Sequence, residues 1–306
     1  MRLVSFRDGA AAPVGIGVVL GEEVAALRPA LSAAMAAAGE PDRAAALVPS
    51  GMTEFLALGE PALVAAARAA AFAARLDQGA LRCSLSAVTL LAPVPKPGKI
   101  LGVGRNYGDH ANEVGGPVQE IPRIFLKPPS AVAGPGCEVR IPAAVTKPDY
   151  EGELAVVIGR PASCVAEPDA LDYVAGYTVL NDVSAREFQF DVSPPQTSFA
   201  KGMDGFCPMG PWLTTPEEAG EPWNMELRCW LNGELVQEGN TRDLIFPVMA
   251  LIAHLSRYMT LMPGDVIATG TPAGSGAFRT PPRWLRSGDR LRIEVGRVGV
   301  LEHGIA

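Results

Sequence analysis

His110 is one of three histidines in the 306-residue chain, and it stands three residues before a glutamate in GVGRNYGDHANEVGG (102–116). One helical turn puts His110 and Glu113 on the same face. A carboxylate behind an imidazole orients the ring and raises its basicity, which is the support a general base requires. The same spacing also fits a solvated helical turn with an incidental histidine. A second group lies in KPDYEGELAVVIGR (147–160), where Glu151 and Glu153 open an apolar run. Strand geometry sends both side chains to one face, with Asp149 in register if the strand begins that early. Like charges side by side are unfavourable without a cation between them, although solvent-facing edge strands carry such pairs too. Asp182 then ends another β-favouring run in GYTVLNDVSARE (176–187). Three carboxylates, with no thiolate and no metal-spaced histidine, describe a hard oxygen site. Mg²⁺, Mn²⁺ or Ca²⁺ suits it and zinc does not.

Cations and polar groups follow closely. Arg186 and Gln189 come just after Asp182, and Lys201 opens KGMDGFCPMGPW (201–212). A lysine beside a metal is suited to polarising a carbonyl or holding an oxyanion, while a solvated surface position is the plain alternative for each of these residues. The loop ATGTPAGSG (268–276) offers backbone N–H groups to an anion, or is an ordinary Gly/Pro turn. His254 reads as a helix-face or core residue, and His303 as part of a C-terminal tail.

The glycines of 102–116 invite a nucleotide reading, which fails. A dinucleotide fingerprint needs a third glycine where this chain has Tyr107, and a long helix where Gly115-Gly116-Pro117 interrupts. No Gly-Lys-Ser/Thr follows, so a phosphate-binding P-loop is excluded as well. Gly102 and Gly104 are instead expected to turn the chain out of a strand over Lys99–Val103.

These residues must be positioned by an unequal pair of regions. Residues 1–90 read as a small α+β domain with a scaffolding or dimer-related role. Its strands fall near Leu3–Phe6, Val14–Leu20 and Val24–Leu27, and alanine-rich helices near 28–39 and 58–76. The proline-punctuated LLAPVPKPGKI (90–100) reads as a linker, which leaves 91–306 as the catalytic domain. There, short β-rich runs alternate with Gly/Pro turns: Leu154–Ile158, Val174–Leu180, Leu227–Leu231, Asp265–Thr269 and Leu291–Val295. One clear helix spans 247–259. The fold class is mixed α+β and mostly β, a roll or sandwich rather than a doubly wound parallel sheet.

Composition narrows the function. A net charge of −7 and a pI near 5.1 leave no electrostatic footprint for nucleic acid or anionic membrane. No apolar run approaches the ~20 residues of a membrane span, and the N-terminus lacks the apolar core of a signal peptide. The five scattered cysteines, with no CxxC pair, suit reduced thiols in a cytoplasmic protein.

In order along the chain, KILGVGRNYGDHANEVG, PRIFLKPPSAVAGPG, DYEGELAVVIGR, GYTVLNDVSAREFQ, KGMDGFCPMGPW, NGELVQEGNT and MPGDVIATGTPAG resemble the fumarylacetoacetate hydrolase family. The likeness covers about residues 95–306 and is similar to bacterial acylpyruvate hydrolases and diene-dioate isomerases. It implies a β-roll or β-sandwich catalytic domain, usually in a homodimer. A divalent ion, Mg²⁺ or Mn²⁺ with Ca²⁺ as a further option, would be held by Glu151, Glu153 and Asp182. His110 would be the base, Glu113 its orienting partner and Lys201 the stabiliser of negative charge. Arg105, Tyr107, Arg186, Gln189 and Thr271 would touch substrate or shape the pocket. The activity expected first is hydrolysis of a C–C bond in a 2,4-dioxo acid by activated water. Decarboxylation of an oxaloacetate-type acid, and isomerisation or hydration of an unsaturated 2-oxo acid, are the alternatives. A silent metal-binding module comes last. Two departures, Gly202-Met203 after Lys201 and the longer FDVSPPQTSFA (190–200), bear on which substrate is taken.

Overall fold

The computed structural model describes residues 1–76, 79, 81–115 and 119–306. Gly116 and Pro117, part of the expected break after His110, lie outside the described residues. The chain opens with β1 (Arg2–Arg7), β2 (Gly15–Leu20), β3 (Glu23–Ala26), α1 (Leu27–Ala37), α2 (Glu60–Ala74) and β4 (Arg82–Ser84). There follow β5 (Ile100–Gly104), α3 (Gly108–Val114), β6 (Arg123–Lys127), β7 (Gly152–Ile158) and β8 (Val174–Asn181). Two short helices, α4 (Arg186–Phe190) and α5 (Thr197–Lys201), precede β9 (Cys207–Thr214), β10 (Glu226–Leu231) and β11 (Glu234–Asn240). The chain ends with α6 (Val248–Ser256), β12 (Val266–Ala268), β13 (Arg290–Val295) and β14 (Gly299–Ile305).

Among the described residues, one large sheet runs in the order β4-β3-β2-β1-β9-β8-β7-β12-β5-β6. Along this order the neighbours are antiparallel except for the parallel pair β12 and β5, and the short strand Val132–Ala133 adds a second parallel pairing on β9. A second sheet, β11-β10-β13-β14 with Glu138–Val139 at its edge, packs on the central strands. Helices α1 and α2 cover the opposite face. This layering explains why β7 reads as an unbroken apolar run after Glu153. Leu154, Val156 and Ile158 belong to the same core cluster as Ile293 and Leu301, whereas Ala155 and Val157 belong to the cluster that contains Leu31 and Ala66. Both faces of the strand are therefore core, and the residues alternate between them with the strand period.

The alanine-rich helices follow their own period. Leu27, Ala30, Leu31 and Ala34 of α1, and Ala62, Ala65, Ala66, Ala69 and Ala73 of α2, form the buried faces. Small side chains let the two helices lie close together, and the few large ones carry most of the burial. Truncating Leu31 to alanine would cost about 2–5 kcal/mol. Residues 1–90 share the large sheet with the rest of the chain, because β1 pairs with β9 (Leu3 opposite Leu213).

Two expectations are corrected here. Gly102 does not turn the chain. It sits inside β5 opposite Phe125, where a Cβ would fall inside the Phe125 ring. Gly104 closes the strand, and the turn beyond it is made by Arg105, whose φ is 57°. His303 does not lie in a tail. It is a buried residue of β14, paired opposite Leu291. His254 lies half-buried on α6, its ring edge-on to Tyr258.

Pairing registers collect several strand ends at one edge of the large sheet. Gly152 lies opposite Asn181, Ala155 opposite Ala268, Ala268 beside Gly102, and Gly104 opposite Arg123. The start of β7, the ends of β8, β12 and β5, and the start of β6 therefore face the same space.

Candidate active site

The antiparallel register of β7 and β8 continues one step beyond the strands, and the Asp182 N–H donates to the Glu151 carbonyl at 2.9 Å. Glu151, Glu153 and Asp182 are thereby gathered, each buried, with one carboxylate oxygen apiece within 4.8 Å of the others. Asp149, read as a possible fourth member, belongs elsewhere. It accepts from the Gly276 and Ala277 N–H groups (2.7 and 3.0 Å) and from Arg186 Nε (2.8 Å).

Buried like charges need cations, and the protein supplies some. Lys201 Nζ donates to Glu151 (2.6 Å), Asp182 (2.5 Å) and the Ser184 hydroxyl (2.7 Å). Arg186 pairs with Glu151 through Nη2 (2.6 Å) and donates from Nη1 to Gln189 (2.9 Å). Burial alone would raise the Glu151 carboxyl. The charges of Arg186, Lys201 and His110 outweigh it and hold the group well below the ordinary carboxylate range. Burial would likewise lower the Lys201 ammonium, yet Asp182 and Glu151 carry it above its usual value. Glu153 is the exception. Burial, then the charges of Asp182 and Glu151, push it well above the carboxylate range against Lys201 and the Gly270 N–H, which donates to it at 2.8 Å. A buried carboxylate facing two others without its own cation is what a divalent ion would relieve. The all-oxygen donor set fits a hard divalent metal.

The sequence reading missed three supporting residues. Lys127, fully buried at the end of β6, donates from Nζ to the second oxygen of Asp182 at 2.5 Å. Asn181 accepts the Glu151 N–H at 2.9 Å, and its amide nitrogen donates to His303 Nε2 at 2.8 Å. Lysine at the end of RIFLK carries no local sign of burial, and His303 lies more than a hundred residues from its partner. Only the fact that Lys127 falls two residues after Phe125 on an alternating strand hinted at its inward direction.

The dyad forms as the spacing predicts. His110 Nδ1 lies 3.0 Å from Glu113 Oε2 on α3. A carboxylate accepts only, so Nδ1 is the donor to Glu113, and in the neutral ring Nε2 keeps its lone pair. Among the described residues Nε2 has no hydrogen-bond partner. The ring packs edge-on against Phe278 with centroids 5.6 Å apart.

The 268–276 loop meets anions, but they are the protein's own. Its successive amides bond Glu153 (Gly270), Asp109 (Ala273, 3.3 Å), Glu113 (Gly274, 3.1 Å) and Asp149 (Gly276). One loop thus positions Glu153 of the carboxylate cluster, the His110–Glu113 pair and the Asp149 anchor of Arg186. Gly270 is required where it stands: its φ is +105° and a Cβ would lie 2.9 Å from that of Asn106. Asn106, also missed by the sequence reading, pins the 104–107 turn to the carbonyls of Phe246 (3.0 Å) and Thr269 (2.8 Å).

One cavity of about 260 Å³ is walled by Arg105, His110, Glu151, Glu153, Arg186 and Lys201 among others. Gln189 and Thr271 also line it. The Thr271 hydroxyl is already engaged, donating to the Gly152 carbonyl (2.8 Å) and accepting from Gln237 (2.7 Å). Tyr107, expected to face substrate, does not line the cavity. It is fully buried in a β-bridge to Leu244, and burial raises its phenol far above the ordinary value. From the 190–200 stretch, Phe190, Pro195 and Thr197 contribute to the wall. No helix among the described residues is long and apolar enough to cross a membrane.

Residues 99–306 match the family described as fumarylacetoacetate (FAA) hydrolase, C-terminal. The chain is 43% identical over 258 residues to the mitochondrial oxaloacetate tautomerase of Xenopus laevis, covering 84% of this chain and 79% of that one. It is 42% identical over 264 residues to the oxaloacetate tautomerase YisK of Bacillus subtilis, covering 84% and 87%. The solved structure of maleylpyruvate hydrolase from Sphingobium sp. SYK-6, in complex with manganese(II) and pyruvate, superposes with a TM-score of 0.76 at 34% identity. That superposition covers 100% of this chain and 99% of that one. With its gathered carboxylates, its His110–Glu113 pair and this extent of likeness, the chain belongs to the fumarylacetoacetate hydrolase family, whose members are metal-dependent enzymes of small oxo acids.

Proposed function

We propose that the protein moves a proton at the carbon beside the ketone of a metal-chelating 2-oxo acid, interconverting keto and enol forms of an oxaloacetate-type substrate. The observation that carries this reading is the free Nε2 of His110, with Nδ1 held by Glu113, on the wall of a cavity that Glu151 and Glu153 of the carboxylate cluster also line. His110 Nε2 takes a proton from C3. The C–H pair becomes the C2=C3 double bond, the carbonyl pair moves to oxygen, and a proton is delivered there. Glu113 stabilises the imidazolium formed between the two transfers. Lys201 places an ammonium beside the developing negative charge. Glu151, Glu153 and Asp182 would hold Mg²⁺ or Mn²⁺, which supplies Lewis-acid stabilisation of the enolate and grips the 2-oxo carboxylate. The oxaloacetate tautomerases among the relatives support this reading.

A second reading is hydrolysis of a C–C bond in a 2,4-dioxo acid such as an acylpyruvate or fumarylpyruvate, with His110 activating water. It is favoured by the likeness to a maleylpyruvate hydrolase. The dyad serves both readings, since each begins with removal of a proton. Decarboxylation does not, because no proton leaves in its first step.

One assay separates them. The purified protein with Mg²⁺ or Mn²⁺ is given oxaloacetate and an acylpyruvate, with C3 proton exchange and product formation followed by NMR. Tautomerisation predicts fast C3 exchange that His110→Asn abolishes. Acylpyruvate cleavage without C3 exchange of oxaloacetate assigns the hydrolase reading. Loss of CO₂ undiminished in His110→Asn sinks both.

A further inference from the structure

His110 stands on a cavity wall and is nonetheless almost fully buried. What covers the imidazole is aromatic. Phe278 packs edge-on against it with centroids 5.6 Å apart, and Phe190 packs edge-on against Phe278 at 5.9 Å. Both phenyl rings line the same cavity as His110, and Phe190 opens the 190–200 stretch that sets this chain apart. The two rings share one support. The Arg186 guanidinium carbon lies 5.8 Å from the centre of each. Phe278 closes a turn over Gly276–Phe278, whose Gly276 and Ala277 amides donate to Asp149, and the same carboxylate accepts from Arg186 Nε. One buried aspartate therefore fixes both the turn that carries Phe278 and the cation on which the two rings rest. A phenyl ring offers a water molecule no hydrogen bond, and an ordered water needs about two to four polar partners to stay in a buried site.

We infer that Phe278, backed by Phe190, decides which proton His110 takes: the two rings keep a nucleophilic water off Nε2 and so favour transfer of the substrate's own C–H proton over hydrolysis. The inference rests on the proposed reading of His110 as the base. The two reactions start at the same nitrogen and differ in what lies against it. Proton transfer at C3 needs only the substrate, and an apolar cover does not hinder it. Hydrolysis needs a held water. Its oxygen adds to the distal carbonyl of the acylpyruvate while His110 takes its proton. The C3–C4 bond then breaks, its electron pair passing to the pyruvate fragment as an enolate, a proton returns to C3, and pyruvate and a carboxylic acid are released. An apolar wall beside Nε2 withholds the polar partners that would keep that water in place, which is how exclusion of solvent suppresses a competing hydrolysis.

The ratio of two rates, measured on one Mg²⁺-loaded sample, tests this: cleavage of acetylpyruvate against C3 proton exchange of oxaloacetate, both followed by NMR. A general loss of structure lowers both rates and leaves their ratio in place. The wild type is expected to favour exchange. Phe278→Ser, which opens the cover and adds a hydroxyl that can hold a water, should shift the ratio toward cleavage by about tenfold, equivalent to ~1.4 kcal/mol of relative barrier. Phe278→Leu keeps the wall apolar and should hold the wild-type ratio, whatever becomes of the two rates separately. Phe190→Ser should shift the ratio the same way by less, because Phe190 is half exposed, and it carries the test alone if Phe278→Ser loses both activities. An unchanged ratio in the serine variants, or the same shift in Phe278→Leu as in Phe278→Ser, overturns the aromatic cover alone. A wild type that cleaves acetylpyruvate without exchanging C3 of oxaloacetate overturns it together with the proton-transfer reading.

Discussion

Lys127 and Asp182 form an ion pair, Nζ to Oδ1 at 2.5 Å, in which neither side chain is exposed to solvent. Asp182 is thus gripped on both oxygens, by Lys127 on one and Lys201 on the other. Its orientation toward Glu151 and Glu153 is set before any metal arrives. Lys127→Met should leave a buried carboxylate short of a partner and destabilise the metal-free protein by about 3–5 kcal/mol. Added Mn²⁺ should recover part of that loss by giving Asp182 a new cation. Thermal unfolding with and without Mn²⁺ measures both effects, and an unchanged melting point in the variant would remove Lys127 from this role.

Glu153 lacks a lysine or arginine partner of its own, so its replacement separates metal binding from folding. Glu153→Gln should weaken divalent metal binding by more than the ~10–100-fold typical of a lost supporting contact, since a ligand itself is lost. Stability of the metal-free protein should hold, because burial and the neighbouring carboxylates already disfavour the charged form that glutamine removes. Calorimetric Mn²⁺ titration beside urea unfolding reads the two quantities separately. A large loss of metal-free stability would contradict the electrostatic account of Glu153.

The dyad makes a kinetic prediction. His110→Asn should cost about 10²–10⁴ in turnover, the usual range for a positioned base, with Mn²⁺ affinity changed little. Gly274→Ala should act through the same dyad. Its φ is +105° and a Cβ would collide with the Val236 carbonyl, so the amide that holds Glu113 must move. The variant should lose turnover while still binding Mn²⁺. Turnover equal to that of the wild type would show that the loop does not orient the pair.

His303 carries a pH signature. Burial lowers its imidazole to about 4 from the ordinary 6.5, and the neutral ring accepts from Asn181. The folded-state value lies below the unfolded one. Stability from the neutral ring is therefore fully present above about 6.5 and is lost as the pH falls toward 4. At ~1.4 kcal/mol per unit, the loss approaches about 3 kcal/mol. Urea unfolding across that window should show this decline in the wild type and a shallower one in His303→Gln. Identical slopes would mean that His303 is not the group responsible.

Much of the site was legible along the chain because its chemistry is local. The three-residue spacing of His110 and Glu113 fixes one helical face, and the two-residue spacing of Glu151 and Glu153 fixes one strand face, whatever surrounds them. The apolar runs of β7 and β8 and the alanine face of α2 were visible for the same reason. Lys127, Asn106, Asn181 and His303 were not. Each acts through a partner brought near by strand register or loop closure, across 30 to 163 residues of sequence. The Gly270–Ala277 loop shows the difference most plainly. Its composition announced amides free to meet an anion, but only the tertiary structure decided that the anions are Glu153, Asp109, Glu113 and Asp149 of the same chain. Short-range spacing sets which way a side chain points. Which charges share a buried space, and how far each is driven from its ordinary ionisation, depends on contacts that exist only once the sheets have closed.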